Sequence, residues 1–269
     1  MSINRRITSQ SNAEIKRLKS LGKKKFRTKY GEFLIEGIRS VEHGIEQGLI
    51  KEIYVSDSFW DNERNQQEVG GFVDNNLPIT VVDDKIFRDL SDTETPQGII
   101  GVAKIVEYSL ENIIEKDSAM ILILDRVQDP GNLGTLIRTA DAAGADGVVI
   151  AKGSVDYCSP KVVRSAMGSS LYMPIYLSDN LLEDIEKMKA KGVTIYGTDL
   201  RTENYYDDLE YSQKTAIIIG NEGNGIEESV LEQVDERIKI PLVGKAESLN
   251  ASVAGSIILY EIVRQRRVK

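Results

Sequence analysis

Three stretches of the chain combine glycine with polar side chains at spacings that could hold a ligand: "DPGNLGTLIRTA" (129–140), "GNEGNGI" (220–226) and "IPLVGKAESLNASVA" (240–254). In the first, Pro130-Gly131 marks a turn. Asn132 suits the cap of the helix that follows, and Gly134 and Arg138, four residues apart, share one helix face. In the second, Gly220, Gly223 and Gly225 let the backbone approach a ligand and offer it N–H groups. Glu222 beside them suits a cationic or hydroxylated ligand, or an arginine. In the third, a strand is expected to end at Pro241 and Gly244 breaks the chain. Ser248 or Asn250 then caps a helix that carries no charge until Glu261, which leaves free N–H groups near the second stretch. Each stretch alone also reads as an ordinary capped helix or glycine turn. No G-x-G-x-x-G dinucleotide fingerprint and no G-x-x-x-x-G-K-[ST] phosphate loop occurs.

The elements around these stretches set their positions. Short apolar runs at 120–125, 147–151, 194–198, 216–220 and 238–242 alternate with helical segments at 133–144, 160–168, 180–191, 226–234 and 250–267. This rhythm predicts a parallel sheet covered on both faces. Ligands in such sheets gather at the carboxyl ends of the strands, and each of the three stretches follows a strand. Before residue 106, strand-like runs at 33–35, 53–55, 79–82 and 98–105 alternate with helical ones at 10–22, 37–48 and 83–91. That pattern predicts a smaller α/β domain. The expected organisation is an N-terminal domain over 1–106, a charged linker over 107–117 and a second domain over 118–269.

Composition narrows the chemistry. The only histidine is His43 and the only cysteine is Cys158, so a zinc site is not expected. A serine or cysteine nucleophile with a histidine base would need His43 in the site. His43 is expected to be structural and Cys158 to serve packing. A single cysteine allows no internal disulfide, which favours a cytoplasmic location. The N-terminus lacks the apolar core of a secretory signal, and no apolar run reaches the length of about 18 residues that spans a membrane. The net charge of −8 is unevenly spread: residues 1–30 hold ten Lys and Arg against Glu14, giving +9, so the rest carries −8 − 9 = −17. This asymmetry points to a polyanion-facing N-terminus on an acidic body.

Taken together and in order, the three stretches resemble the SpoU (TrmH-like) class of the SPOUT superfamily, RNA ribose 2′-O-methyltransferases. The resemblance rests on Asn132, Gly134 and Arg138, then Gly220, Glu222, Gly223 and Gly225, then Ser248, Leu249, Asn250 and Ser252. It covers about 118–267. "FLIEGIRSVEHGIEQG" (33–48) and "TPQGIIGVAKI" (95–105) resemble the substrate-binding domain often fused to that class.

The resemblance implies an α/β fold whose C-terminal parallel-sheet domain carries a deep trefoil knot, preceded by a small RNA-binding domain resembling a ribosomal-protein fold. It implies S-adenosyl-L-methionine as cofactor, without a metal, bound by Gly220, Ile240 and Leu249 with Thr198 and Ser252. It places Arg138, Asn132, Glu222, Ser248 and Asn250 in the catalytic site and implies a homodimer. A ribose hydroxyl is a weak nucleophile, so its positioning and the removal of its proton matter. Arg138 is the implied catalytic residue, as a general base or as a phosphate clamp; a guanidinium is effectively never deprotonated. Lys23, Lys24, Lys25, Arg27 and Lys29 would supply phosphate contacts to an RNA substrate, expected to be ribosomal. Transfer RNA, a base-nitrogen target and a non-catalytic RNA-binding role are the alternatives.

Overall fold

Short β-branched runs separated by capped helices build the N-terminal part of the chain. Its strands are β1 (Arg5–Ile7), β2 (Glu32–Glu36), β3 (Ile50–Ser56), β4 (Ile79–Val82) and β5 (Ile99–Lys104). They form one sheet in the order β1-β4-β3-β5-β2, in which β1, β4 and β3 run parallel and β5 runs antiparallel to β3 and β2. The helices are α1 (Ala13–Ser20), α2 (Lys24–Tyr30), α3 (Ile38–Glu46), α4 (Asp57–Trp60), α5 (Glu63–Phe72) and α6 (Asp84–Leu90). Side chains of Asn12, Asn62 and Asp83 accept the first free N–H groups of α1, α5 and α6, as N-caps do. Ile15 and Leu18 of α1 and Phe87 of α6 pack on Tyr54, Ile100 and Val102 of the sheet.

The second sheet is all parallel. Its strands are β6 (Ala119–Leu124), β7 (Gly147–Ala151), β8 (Ile175–Ser178), β9 (Thr194–Thr198), β10 (Lys214–Ile219) and β11 (Glu236–Ile238), in the order β11-β9-β10-β6-β7-β8. Every residue of β6 and β7 is buried, as strands covered on both faces require. The helices of this part of the chain are α7 (Glu111–Ile114), α8 (Pro130–Ala142), α9 (Pro160–Ala166), α10 (Leu181–Ala190), α11 (Glu228–Leu231) and α12 (Ala251–Val268). Helices α8 and α12 pack together at Gly255, where an added Cβ would lie 2.5 Å from Leu136 Cδ2.

The structure, a computed structural model, describes residues 5–73 and 77–268. The chain divides into two units: Met1–Val106 with Asp156–Leu171, and Glu107–Val155 with Tyr172–Lys269. Three departures from the sequence expectation bear on the division of the chain and on its third loop. The stretch expected as a linker carries α7, whose Ile113 and Ile114 are part of the second unit's core. The strand expected over 238–242 ends at Ile238, followed by a single bridge between Lys239 and Tyr205. Asp156–Leu171, with α9, belongs to the first unit. There Asp156 accepts from Arg27 Nε at 3.0 Å and Nη2 at 2.6 Å, and Arg164 pairs with Asp92 at 2.8 Å. Among the described residues, no helix is long and apolar enough to cross a membrane.

Candidate functional site

The loops that leave β6, β10 and β11 are tied by one chain of hydrogen bonds. Asp129 caps α8, its Oδ1 accepting from Asn132 N at 2.8 Å. Asn132 is therefore not the cap expected from sequence. It sits inside the first turn, with its amide free to bridge. Its Nδ2 donates to Glu222 Oε1 at 3.0 Å, and its Oδ1 accepts from Asn250 Nδ2 at 2.9 Å. Asn250 takes the helix-capping role in the third loop: its Oδ1 accepts from Ser252 N at 2.9 Å, Val253 N at 3.3 Å and Ser252 Oγ at 2.6 Å. One residue from each loop thus forms the line Glu222–Asn132–Asn250. Because Asn132 is buried, both ends of its amide need such partners.

Glu222 also accepts from the backbone N–H groups of Gln128, at 3.2 Å, and Asp129, at 3.0 Å. Burial acts to raise its pKa, but the bonds from Asn132 and these N–H groups outweigh it and hold it below the usual carboxylate range. At neutral pH Glu222 is an anion that fixes the first loop against the second. A second clasp lies behind it. Arg126 is in the left-handed region at φ 56°. Its Nε and Nη2 donate to the two oxygens of the buried Asp125, at 3.0 and 2.9 Å. Asp125 also accepts from Glu227 N at 2.9 Å, and the Arg126 carbonyl accepts from Asn221 Nδ2 at 2.9 Å. The second loop is therefore held at its start and at its end.

These loops border a cleft of about 520 Å³ lined by Thr198, Gly220, Ile240, Leu249 and Ser248, with Glu222 at its edge. Gly220 is obligatory by space: an added Cβ would lie 2.2 Å from the Gly225 carbonyl carbon. Thr198 donates its hydroxyl to Ile218 O at 3.1 Å. Of the residues expected at the cofactor wall, Ser252 alone is elsewhere, buried beneath the Asn250 cap. Arg138 lies on the exposed side of α8, one turn beyond Gly134. Sequence reasoning missed Asp199 and Arg201, which also line the cleft and pair bidentately, with Arg201 reaching Glu228 at 2.8 Å. Their signal was "TDLR", a charged pair directly after a strand.

In the first unit, Lys23, Lys24, Lys25 and Lys29 are exposed. Arg27, expected with them as an RNA contact, is not available for one. It is buried to 4% exposure, chelates Asp156 and donates to the Leu21 carbonyl at 2.7 Å. Position 27 falls on the inner face of α2, where only a paired cation is tolerated.

The order of loops on a parallel sheet and the polar line joining them match a known class. Residues 119–260 match the SpoU rRNA Methylase family, and residues 12–101 match the MRM3-like substrate binding domain. The chain belongs to the SpoU rRNA methylase family. It is 38% identical over 259 residues to the 23S rRNA (guanosine(2553)-2′-O)-methyltransferase RlmP of Bacillus subtilis (strain 168), covering 96% of this chain and 99% of that one. It is 32% identical to the 23S rRNA (uridine(2479)-2′-O)-methyltransferase of Streptomyces viridochromogenes, covering 97% and 93%. Among solved structures, that of the SpoU methyltransferase AviRb from Streptomyces viridochromogenes with the cofactor AdoMet aligns with a TM-score of 0.87 at 30% identity, over 95% of this chain and 98% of that one.

Proposed function

We propose that this protein transfers a methyl group from S-adenosylmethionine to a ribose 2′-hydroxyl of ribosomal RNA. The observation that carries this is the Glu222–Asn132–Asn250 line, whose Glu222 end lines the cleft. It explains why these residue types occur in three separate loops, and family membership supports the same chemistry.

The cleft suits the cofactor. Its wall offers the apolar side chains of Ile219, Ile240 and Leu249 to an adenosine and the Glu222 carboxylate to positive charge, while Asp199 and Glu228 are paired with Arg201. When bound, S-adenosylmethionine supplies an electrophilic methyl group on a sulfonium, so the protein's task is to align an oxygen and accommodate its proton. Gly220, Ile240 and Leu249 hold the cofactor, with Thr198 beneath. Asn132 and Asn250 fix the loop that ends in Ser248, and Glu222 locks the first loop against the second. Arg138 clamps the phosphate beside the target ribose, a charge-assisted contact. Lys23, Lys24, Lys25 and Lys29 add attraction for the RNA. The deep trefoil knot belongs to the same proposal.

So does a homodimer in the cytoplasm. Val253 and Tyr260, seven residues apart on α12, are 46% and 51% exposed, an apolar stripe that a second copy would cover.

The test uses ribosomal RNA from cells lacking the gene, labelled cofactor and digestion to nucleosides. Label on ribose is expected. Arg138→Ala should lower transfer by about a hundredfold or more and leave cofactor affinity unchanged. Label on a base, or transfer by the Ala variant at the parent rate, would sink the assignment.

A further inference from the structure

Ion pairs inside the first unit hold five of the ten cations in residues 1–30. Arg5 pairs with Glu14, Arg6 with Asp57, Arg17 with Glu32 and Glu52, Lys19 with Asp89, and Arg27 with Asp156. Among the described residues, Lys16, Lys23, Lys24, Lys25 and Lys29 form no ion pair, and four of these lie on or beside α2. The positive surface is therefore far narrower than the charge count of the segment implies. It is also not purely ionic. Phe26 and Tyr30, one turn apart on α2, stack with centroids 6.3 Å apart at 16°. Tyr30 is 38% exposed, and Lys29 Nζ lies 5.3 Å from its ring centroid.

We propose that α2 binds an unpaired stretch of RNA, with the Tyr30 ring stacking on one nucleobase and the lysines taking the flanking phosphates. A base inside a duplex has both faces covered and offers nothing to an aromatic ring, whereas an unpaired base does. The ammonium of Lys29 occupies the ring face that a base would cover. Lys29 is exposed, so its ammonium can move to an adjoining phosphate as the base arrives. Phe26 backs the ring and holds it outward. Phosphate attraction alone would serve duplex and single strand alike; the aromatic pair selects the unpaired form. This rests on the proposed RNA substrate and adds which part of the RNA the N-terminal unit holds.

The test measures anisotropy of a fluorescent unpaired oligoribonucleotide, and of a blunt-ended duplex of equal composition, with the full chain across a salt series. Tyr30→Ala should weaken binding of the unpaired strand roughly five- to a hundredfold and leave the slope of log affinity against log salt unchanged. Tyr30→Trp should restore affinity. Replacing Lys23, Lys24, Lys25 and Lys29 by Ala should flatten that slope by about 0.7 per lysine. Equal affinity of Tyr30→Ala and the parent, or a duplex that loses as much from Tyr30→Ala as the unpaired strand, would overturn the proposal. If the lysine effect remains in that case, the methyltransferase reading stands without it. If neither RNA binds and no ribose is labelled, both fall.

Discussion

Glu222 is an anion held by neutral donors. Burial pushes its pKa up; the amide of Asn132 and the N–H groups of Asp129 and Gln128 pull it down further. The sign follows. A carboxylate with a lowered folded pKa contributes above its ordinary range, and that contribution is lost as pH falls through the folded value. Cofactor affinity measured by calorimetry should therefore stay level from about pH 8 to about pH 5 and fall below the ordinary glutamate range. Glu222→Gln should remove that acid limb, and an unchanged limb in this variant would assign it to another group. The neighbouring asparagine shows what sequence can miss at this scale. Asp129 and Asn132 are equally good cap residues; the turn expected at Pro130-Gly131 is instead the start of α8, which makes Asp129 the cap and puts Asn132 inside the first turn. Arg27 shows the same for charge. Its neighbours Lys24, Lys25 and Lys29 carry the same sign, but 27 is the position on α2 that points inward.

At the scale of elements, Arg126 links backbone strain to loop order. A left-handed residue with a side chain costs on the order of 1–2 kcal/mol, here opposed by the bidentate pair with Asp125 and the Asn221 bond. Arg126→Gly loses the pair and relieves the strain; Arg126→Ala loses the pair and keeps it. The Ala variant should thus be about 1 kcal/mol less stable than the Gly variant in thermal unfolding, while both bind cofactor more weakly than the parent. Equal melting of the two would show that the backbone stores no strain there. Strands such as Ala119–Leu124 were legible because buried parallel strands are apolar throughout. Two others were not. Arg5–Ile7 is three residues long and exposed at Arg5 and Arg6, and Ile175–Ser178 is an edge strand with Leu177 in solvent. Short edge strands have no pattern of their own; their neighbours define them.

For the whole molecule, the three loops were legible as a set because each follows a strand of a parallel sheet, where ligands gather, and because together they resemble one class. The proposed homodimer came from resemblance alone, and α12 supplies a way to test it. Val253→Glu with Tyr260→Glu should convert a dimer to a monomer in sedimentation velocity, since two charges on that stripe cannot be covered without partners. A parent that sediments as a monomer would remove the homodimer from the proposal.

The path of the chain through its two units has a consequence for exchange between relatives. Asp156–Leu171 lies within the stretch that matches the methylase family, yet it belongs to the first unit, through Asp156 under Arg27 and Arg164 beside Asp92. The first unit is therefore discontinuous in the gene. Recombination at a single point near residue 106 would transplant a domain stripped of one of its helices, leaving a buried guanidinium facing whatever carboxylate, or none, the recipient provides. Exchange of the intact first unit between relatives would require two segments to travel together. That favours change by substitution on surfaces such as α2 over the shuffling of whole domains.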